Sequence, residues 1–243
     1  MRTETAIMAD VHKIVQIYPA GSGHFVYTSG MHGNGYVDYR ALGKPEHKEL
    51  LEEVVILLFR KALSHSGFIA SSKIVACGPE TMGKHMIEAL ERANIMGKLP
   101  TFKTLYTLKL LKDPKTPNAF IWNMDPEDLL TGAQIIWFDD LLNMGSTAKT
   151  SMQMVEQYGN KIGVVATIGD RCNVTANHLG VARIVSLETH PGFTVHNPKC
   201  LCTLCEAGVP IVRRPGHGYK FEAEHPDYRG GFIDSPTKQL KTA

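Results

Sequence analysis

The apolar positions of the chain follow two recurring patterns. Helical spacing, with apolar residues three and four apart, runs through Ala6–Tyr18, Pro45–Ser64, Gly83–Ala93 and Ser146–Tyr158. Short apolar runs without alternation occupy Lys73–Cys77, Thr104–Leu108, Gln134–Phe138, Lys161–Ile168 and Ala182–Leu187. A strand buried on both faces reads this way, because neither side chain direction meets water. Such runs interleaved with helices predict an α/β fold: a mostly parallel twisted sheet, helices on both faces, right-handed crossovers. Ligands of such sheets bind beyond the carboxyl ends of the strands.

Two segments break the pattern. Lys109–Leu130 is rich in Lys, Pro, Asn and Asp and long for a connector, so it reads as a lid. After Thr189 the stretch HPGFTVHNPKCLCTLCEAGVPIVRRPGHGYKFEAEHPDYRGGFIDS is full of turn formers and has no clear period. Residues 196–243 therefore read as an irregular, Cys-containing extension packed on a domain of residues 1–195, with a loose tail from about Ser235.

Composition narrows the partners. The chain has 243 residues, 43% apolar and 21% charged, with a formal net charge of +2. That is ordinary for a globular protein, and no basic stripe argues for nucleic acid. No run reaches the roughly 18 apolar residues of a membrane span. The N-terminal MRTETAIMADVHKIVQ carries acids and no apolar stretch of a signal peptide. Five cysteines, an odd number, fit a reducing cytoplasm better than a disulfide framework.

Candidate chemistry begins at IIWFDDLLNMGSTAKTSMQMVEQYG, Ile135–Gly159, where a buried run ends on two adjacent acids and a small-residue turn opens a helix. Backbone N–H groups at a helix N-terminus, aided by the helix dipole, hold phosphate. Gly145 permits close approach, Ser146 and Thr147 offer hydroxyls, and Asn143 and Met144 complete the turn. Asp139 and Asp140 suit the hydroxyls of a neighbouring diol. A phosphate beside a diol describes a ribose 5-phosphate. The bland alternative is a strand ending on solvated acids before an ordinary helix cap. Upstream, Gly78-Pro79-Glu80-Thr81-Met82-Gly83-Lys84 fits a P-loop, but His85 stands where that motif needs a Mg²⁺-binding Ser or Thr.

These stretches together carry a family resemblance. IIWFDDLLNMGSTA resembles the phosphoribosyl-pyrophosphate motif of type I phosphoribosyltransferases. FVYTSGMHGNGYVDYRAL, Phe25–Leu42, resembles the N-terminal signature of the orotate members, a hood-like element in that family. CGPETMGKHM, Cys77–Met86, resembles the pyrophosphate loop, and IGDR, Ile168–Arg171, a strand-end Asp-Arg whose arginine meets the orotate carboxylate.

The resemblance implies phosphoribosyl transfer from phosphoribosyl pyrophosphate to a nucleobase, orotate first and a purine second, with Mg²⁺ and a homodimer. A non-catalytic sensor of the same ligand is the other reading. By resemblance, Asp139 and Asp140 would hold the ribose hydroxyls directly or through Mg²⁺, and Asn143–Thr147 the 5-phosphate. Gly78–Gly83 and Lys84 would hold the pyrophosphate, Tyr36 and Val37 would flank the base, and Arg171 would pair with its carboxylate. Lys109 and Lys112 would act from the lid, with Lys115 beside them. The chain departs from the orotate pattern at Met31-His32-Gly33, at Asn143-Met144 and in a lid without histidine.

Cys200-x-Cys202-x-x-Cys205 remains open among a structural zinc site, a redox pair and a plain reduced turn. His190, His196 and His217 are the nearby histidines. CTLCEAGVPIV resembles a C-terminal segment of some orotate-type bacterial proteins.

Overall fold

The unbroken apolar runs become the inner strands of one sheet. The computed structural model describes residues 2–64, 73–100, 105–116, 119–197 and 202–236. In chain order the elements are α1 (Glu4–Ile14), β1 (Gln16–Tyr18), β2 (Phe25–Val26), β3 (His32–Gly33), β4 (Tyr36–Asp38) and α2 (Lys48–Leu63). They continue as β5 (Ile74–Pro79), α3 (Met82–Ile95), β6 (Leu105–Lys112), β7 (Phe120–Trp122), α4 (Glu127–Leu130) and β8 (Gln134–Leu142). Then come α5 (Ser146–Glu156), β9 (Ile162–Asp170), α6 (Ala176–Leu179), β10 (Arg183–Thr189), β11 (Val195–His196), α7 (Thr203–Glu206), β12 (Ile211–Val212), α8 (Gly218–Glu224) and β13 (Phe232–Ile233).

The chain divides into two compact units, Met1–Val11 with Tyr39–Thr189, and His12–Asp38 with His190–Ala243. The first holds a six-stranded sheet of order β10-β9-β8-β5-β6-β7. All neighbours in it run parallel except β7, which returns antiparallel to β6 at the edge. Every residue of β5 is buried, as a central parallel strand requires. Ala148, Met152 and Val155 of α5 pack against Val75, Cys77, Ile135 and Trp137. The alternate residues Ile74, Ala76, Ile136 and Phe138 are equally buried beneath the opposite face. The sheet is thus covered on both sides, which explains the missing alternation in the sequence.

The second unit is built from short strands. β1 and β4 form an antiparallel ribbon with Ile17 opposite Val37. A three-stranded sheet has the order β11-β3-β2, and β12 pairs with β13. Its apolar cluster is small: Tyr18, Phe25, Tyr27 and Val212, flanked by Met31, Tyr36, Val195 and Ile233. Arg213 holds it further, with a two-pronged contact to Glu222 at 2.6 and 2.7 Å.

Several expectations need correction. The first helix ends at Ile14, and Gln16–Tyr18 is strand rather than helix. Lys109–Leu130 is not a structureless lid: β6 continues to Lys112, pairs with β7, and a short α4 follows. The turn formers after Thr189 conceal β11, α7, β12, α8 and β13, elements too short to show a period. Thr104, Cys200 and the tail beyond residue 236 lie outside the described residues. Among the described residues, no helix is long and apolar enough to cross a membrane.

One buried polar bond ties α5 to β8. The indole N–H of Trp137 donates to Ser151 Oγ at 3.0 Å, and Ser151 donates to the Thr147 carbonyl at 2.9 Å. Ser151→Ala would leave the buried indole N–H unsatisfied. The expected loss is about 1–3 kcal/mol of unfolding free energy, read from urea denaturation. No change in the midpoint would contradict that role.

Candidate functional site

The acids at the end of β8 sit at the carboxyl edge of the sheet, next to the loop after β5. That closeness needs small residues. A Cβ on Gly78 would lie 2.8 Å from the Phe138 carbonyl oxygen, and one on Gly83 would lie 2.8 Å from the same oxygen and 2.4 Å from Pro79 Cδ. Both glycines therefore let the loop rest on the strand that carries the acids.

Asp139 and Asp140 have different surroundings. Asp139 is buried, and its carboxyl accepts the N–H of Asp140 at 3.0 Å and that of Gly83. Burial, and after it the charge of Asp140, pushes the Asp139 carboxyl well above its ordinary 3.8. Asp139 fastens the loop to the strand, while Asp140 is only half-buried.

The loop amides are partly spent. The N–H of Glu80 donates to the Leu110 carbonyl at 2.5 Å, that of Thr81 to the Pro79 carbonyl at 2.9 Å, and that of Gly83 to Asp139. The Glu80 carboxylate accepts the Lys112 N–H at 2.6 Å. Pro79 has no N–H. Met82 and Lys84 stand at the start of α3, where first-turn N–H groups lack helical acceptors.

The second turn is more open. Gly145 has φ 76°, and no side chain caps α5. The first N–H groups of this 11-residue helix, beginning with Ser146 and Thr147, thus face out of the turn. Asn143 Oδ1 is buried beside it without a hydrogen-bond partner. Met144 is 47% exposed and contributes no donor from its side chain.

A buried group missed by the sequence reading stands close by. Tyr39 is fully buried and its hydroxyl donates to Glu188. Burial, Glu188 and Asp140 raise its phenol well above 10.0, while the charge of Arg171 opposes them. Tyr39, Glu188, Asp140 and Arg171 therefore form one electrostatic cluster. Arg171 is itself buried, with its backbone N–H on the Leu142 carbonyl at 2.9 Å. Asp170 spends its carboxylate on the N–H groups of Cys172 and Val174, at 3.1 and 3.3 Å. The only sequence signal for Glu188 was its place at a strand end.

The expected lysines separate. Lys109 lies on β6 with its ammonium 3.6 Å from Glu88 and 3.4 Å from Glu91, so it is a strand residue paired to α3 and not a lid residue. Lys112 is exposed at the strand's end and Lys115 in the turn beyond. In the second unit, Tyr36 and Val37 lie on β4. There Cys202 and Cys205 face His24 and His32, two histidines the sequence reading did not connect to them. Burial holds His32 down at about 4.

No family model and no curated protein sequence matches the chain. Solved structures do. The orotate phosphoribosyltransferase of Mycobacterium tuberculosis, in complex with inorganic phosphate, matches at 16% identity and a TM-score of 0.51, over 78% of this chain and 96% of that one. The adenine phosphoribosyltransferase of Thermoanaerobacter pseudethanolicus matches at 17% and 0.51, over 75% and 99%. A phosphoribosyltransferase of Corynebacterium diphtheriae matches at 15% and 0.52, over 77% and 96%. The chain has the type I phosphoribosyltransferase fold. At these identities orotate and adenine proteins fit the phosphoribosyltransferase fold of this chain equally well, so the likeness speaks to architecture and not to the base.

Two variants test the site. Gly145→Ala places a Cβ 2.5 Å from Leu179 Cδ2 on a backbone of φ 76°. It is expected to cost about 1–3 kcal/mol in urea denaturation; unchanged stability would contradict the strain. Asp139→Asn tests the raised carboxyl. A raised folded value means that the folded chain holds the proton more tightly, so that stabilisation is complete below 3.8 and is lost as pH rises through the folded value. In metal-free buffer, the stability of Asp139→Asn relative to wild type should therefore increase with pH. A difference independent of pH would contradict it.

Proposed function

We propose that the chain transfers a phosphoribosyl group from phosphoribosyl pyrophosphate to a nucleobase, with orotate the first candidate and a purine the second. One observation carries the reading: the half-buried Asp140 near the end of β8, which closes at Leu142, is joined through the short turn Asn143–Gly145 to the uncapped N-terminus of α5 at Ser146. Those groups complement a diol and a phosphate on one ribose.

In this reading the N–H groups of Ser146 and Thr147 bind the 5-phosphate, helped by the helix dipole. Asp140 accepts hydrogen bonds from the ribose hydroxyls. Asp139 stays behind it and keeps the loop of Gly78–Gly83 in place. The pyrophosphate lies over the start of α3, at Met82 and Lys84. The bond from ribose C1 to the pyrophosphate oxygen breaks as one forms to a ring nitrogen of the base. Positive charge grows on the sugar ring and negative charge on the leaving group, so positioning and electrostatics supply most of the rate.

The paired carboxyls fit Mg²⁺, since two adjacent carboxylates offer the hard oxygen donors such a cation takes. Asp140, with Asp139 beside it, would hold the ion, which would neutralise charge on the pyrophosphate. Arg171 is proposed for the base and Lys112 for the leaving group. By the same resemblance the working unit is a homodimer.

A second reading has its own observation. Glu80, Thr81 and Gly83 use their amides within the chain, and Lys109 is held by Glu88 and Glu91. A protein that binds phosphoribosyl pyrophosphate without turnover would tolerate both.

Pyrophosphate release from phosphoribosyl pyrophosphate and Mg²⁺ decides, with orotate, uracil, adenine and guanine tested separately. Transfer predicts release with one base, and a loss of about 100-fold or more in kcat/KM for Asp140→Asn, equivalent to about 2.7 kcal/mol. Binding with no release under any base would overturn the enzyme and leave the sensor.

A further inference from the structure

The second unit carries a cluster of donors that phosphoribosyl chemistry does not use. One ligand atom from each of His24, His32, Cys202 and Cys205 lies within 4.8 Å of all the others. Nε2 of His24 is 2.9 Å from Nδ1 of His32. Cys205 Sγ is 3.3 Å from Nδ1 of His32 and 3.8 Å from Nε2 of His24, and Cys202 Sγ is 3.6 Å from the latter. With Zn–N near 2.0–2.1 Å and Zn–S near 2.3 Å, a tetrahedral ion demands edges of about 3.3 Å between nitrogens and about 3.5 Å from nitrogen to sulfur. The observed edges scatter around those values.

We propose that His24, His32, Cys202 and Cys205 bind one Zn²⁺ in a closed tetrahedral site that fastens the second unit together.

Local structure aims all the donors at one point. Val26 pairs with His32 across the β2–β3 hairpin, so residues 24, 26 and 32 share a face. Cys202 caps α7 and Cys205 lies three residues on, which puts both sulfurs on one side of a helical turn. The two halves are distant in sequence: His24 and Cys202 are 178 residues apart.

The surroundings fit a metal better than a set of bare side chains. His24 Nδ1 donates to the Val209 carbonyl at 3.0 Å, which leaves Nε2 with its lone pair toward the cluster. Tyr228 donates to that same carbonyl at 2.8 Å and holds it in place. Without an ion, His32 Nδ1 must carry the proton in its bond to His24. Its Nε2 is then a bare acceptor, and that atom is buried without a partner. With an ion, both facing nitrogens coordinate through lone pairs, and the His32 proton moves to Nε2; the imidazole packs edge-on to the Phe221 ring, with the two ring centroids 5.0 Å apart. The orphaned acceptor disappears.

Four protein ligands leave no open position, so the site is structural rather than catalytic. Two sulfurs and two imidazoles in a tetrahedron select zinc among common divalent ions. The unit needs such a fastening because its apolar cluster is small and joins two separate chain segments. Cys200 is not required, since the donor set is already complete.

The test is elemental analysis of the full chain purified without chelator, followed by exchange with Co²⁺. One zinc per chain is expected, and the Co²⁺ form should show visible ligand-field bands of a tetrahedral site with thiolate charge transfer in the near ultraviolet. Cys205→Ser and His32→Gln should lose the metal, Cys172→Ala should keep it, and a strong chelator should lower the wild-type melting temperature. Folded wild-type protein that lacks zinc and gives no tetrahedral Co²⁺ spectrum would overturn the site. So would a Cys202–Cys205 disulfide found in protein handled without reductant. Every readout is independent of pyrophosphate release, so this proposal and the transferase reading stand or fall separately.

Discussion

The first unit depends on one close approach: the loop after β5 rests on the end of β8. Gly78 and Gly83 both meet the Phe138 carbonyl, and neither could carry a Cβ there. The Asp139 carboxyl then seals the contact by accepting the Gly83 N–H. Burying a carboxyl is costly unless it is hydrogen-bonded, and here the backbone N–H groups of Asp140 and Gly83 reach it. The result is an acid pair in which one member is structural and the other, Asp140, stands at the sheet's carboxyl edge. From there the chain turns through Gly145 into α5, and Trp137, Ser151 and Thr147 fix the helix on the strand below it. Packing in the core thus sets the position of the groups that can meet a ligand.

The second unit solves a different problem with different means. Its strands are two or three residues long and its apolar cluster holds few side chains. Such a unit gains little from burial alone. Directional contacts take a larger share: the Arg213–Glu222 fork, the Tyr27 hydroxyl on the Gly35 carbonyl at 2.7 Å, and the His24–His32–Cys202–Cys205 cluster. Each joins positions that no local sequence pattern connects.

How much of this was legible follows from the same contrast. The central strands announced themselves because burial on both faces leaves an apolar run, and α2, α3 and α5 because burial on one face leaves a helical stripe. Asp139 and Asp140 could be seen because acids at the end of an apolar run are out of place in a core. Their different roles could not be seen, since these depend on Gly83 approaching from another loop. Lys109 looked like a lid residue because Lys109 and Lys112 interrupt the apolar run, which hid the continuation of β6 through Leu110 and Leu111 and its pairing with β7. Glu188 and Tyr39 lie 149 positions apart and meet only in the fold. His24 and His32 were invisible as partners of the cysteines for the same reason.

The central claim is that the end of β8 and the start of α5 hold one ribose 5-phosphate between them. A crystal structure of the full chain with phosphoribosyl pyrophosphate and Mg²⁺ tests it most directly. The account predicts the 5-phosphate on the N–H groups of Ser146 and Thr147, with the ribose hydroxyls on Asp140. A phosphate bound elsewhere, with this turn empty at saturating ligand, would contradict it.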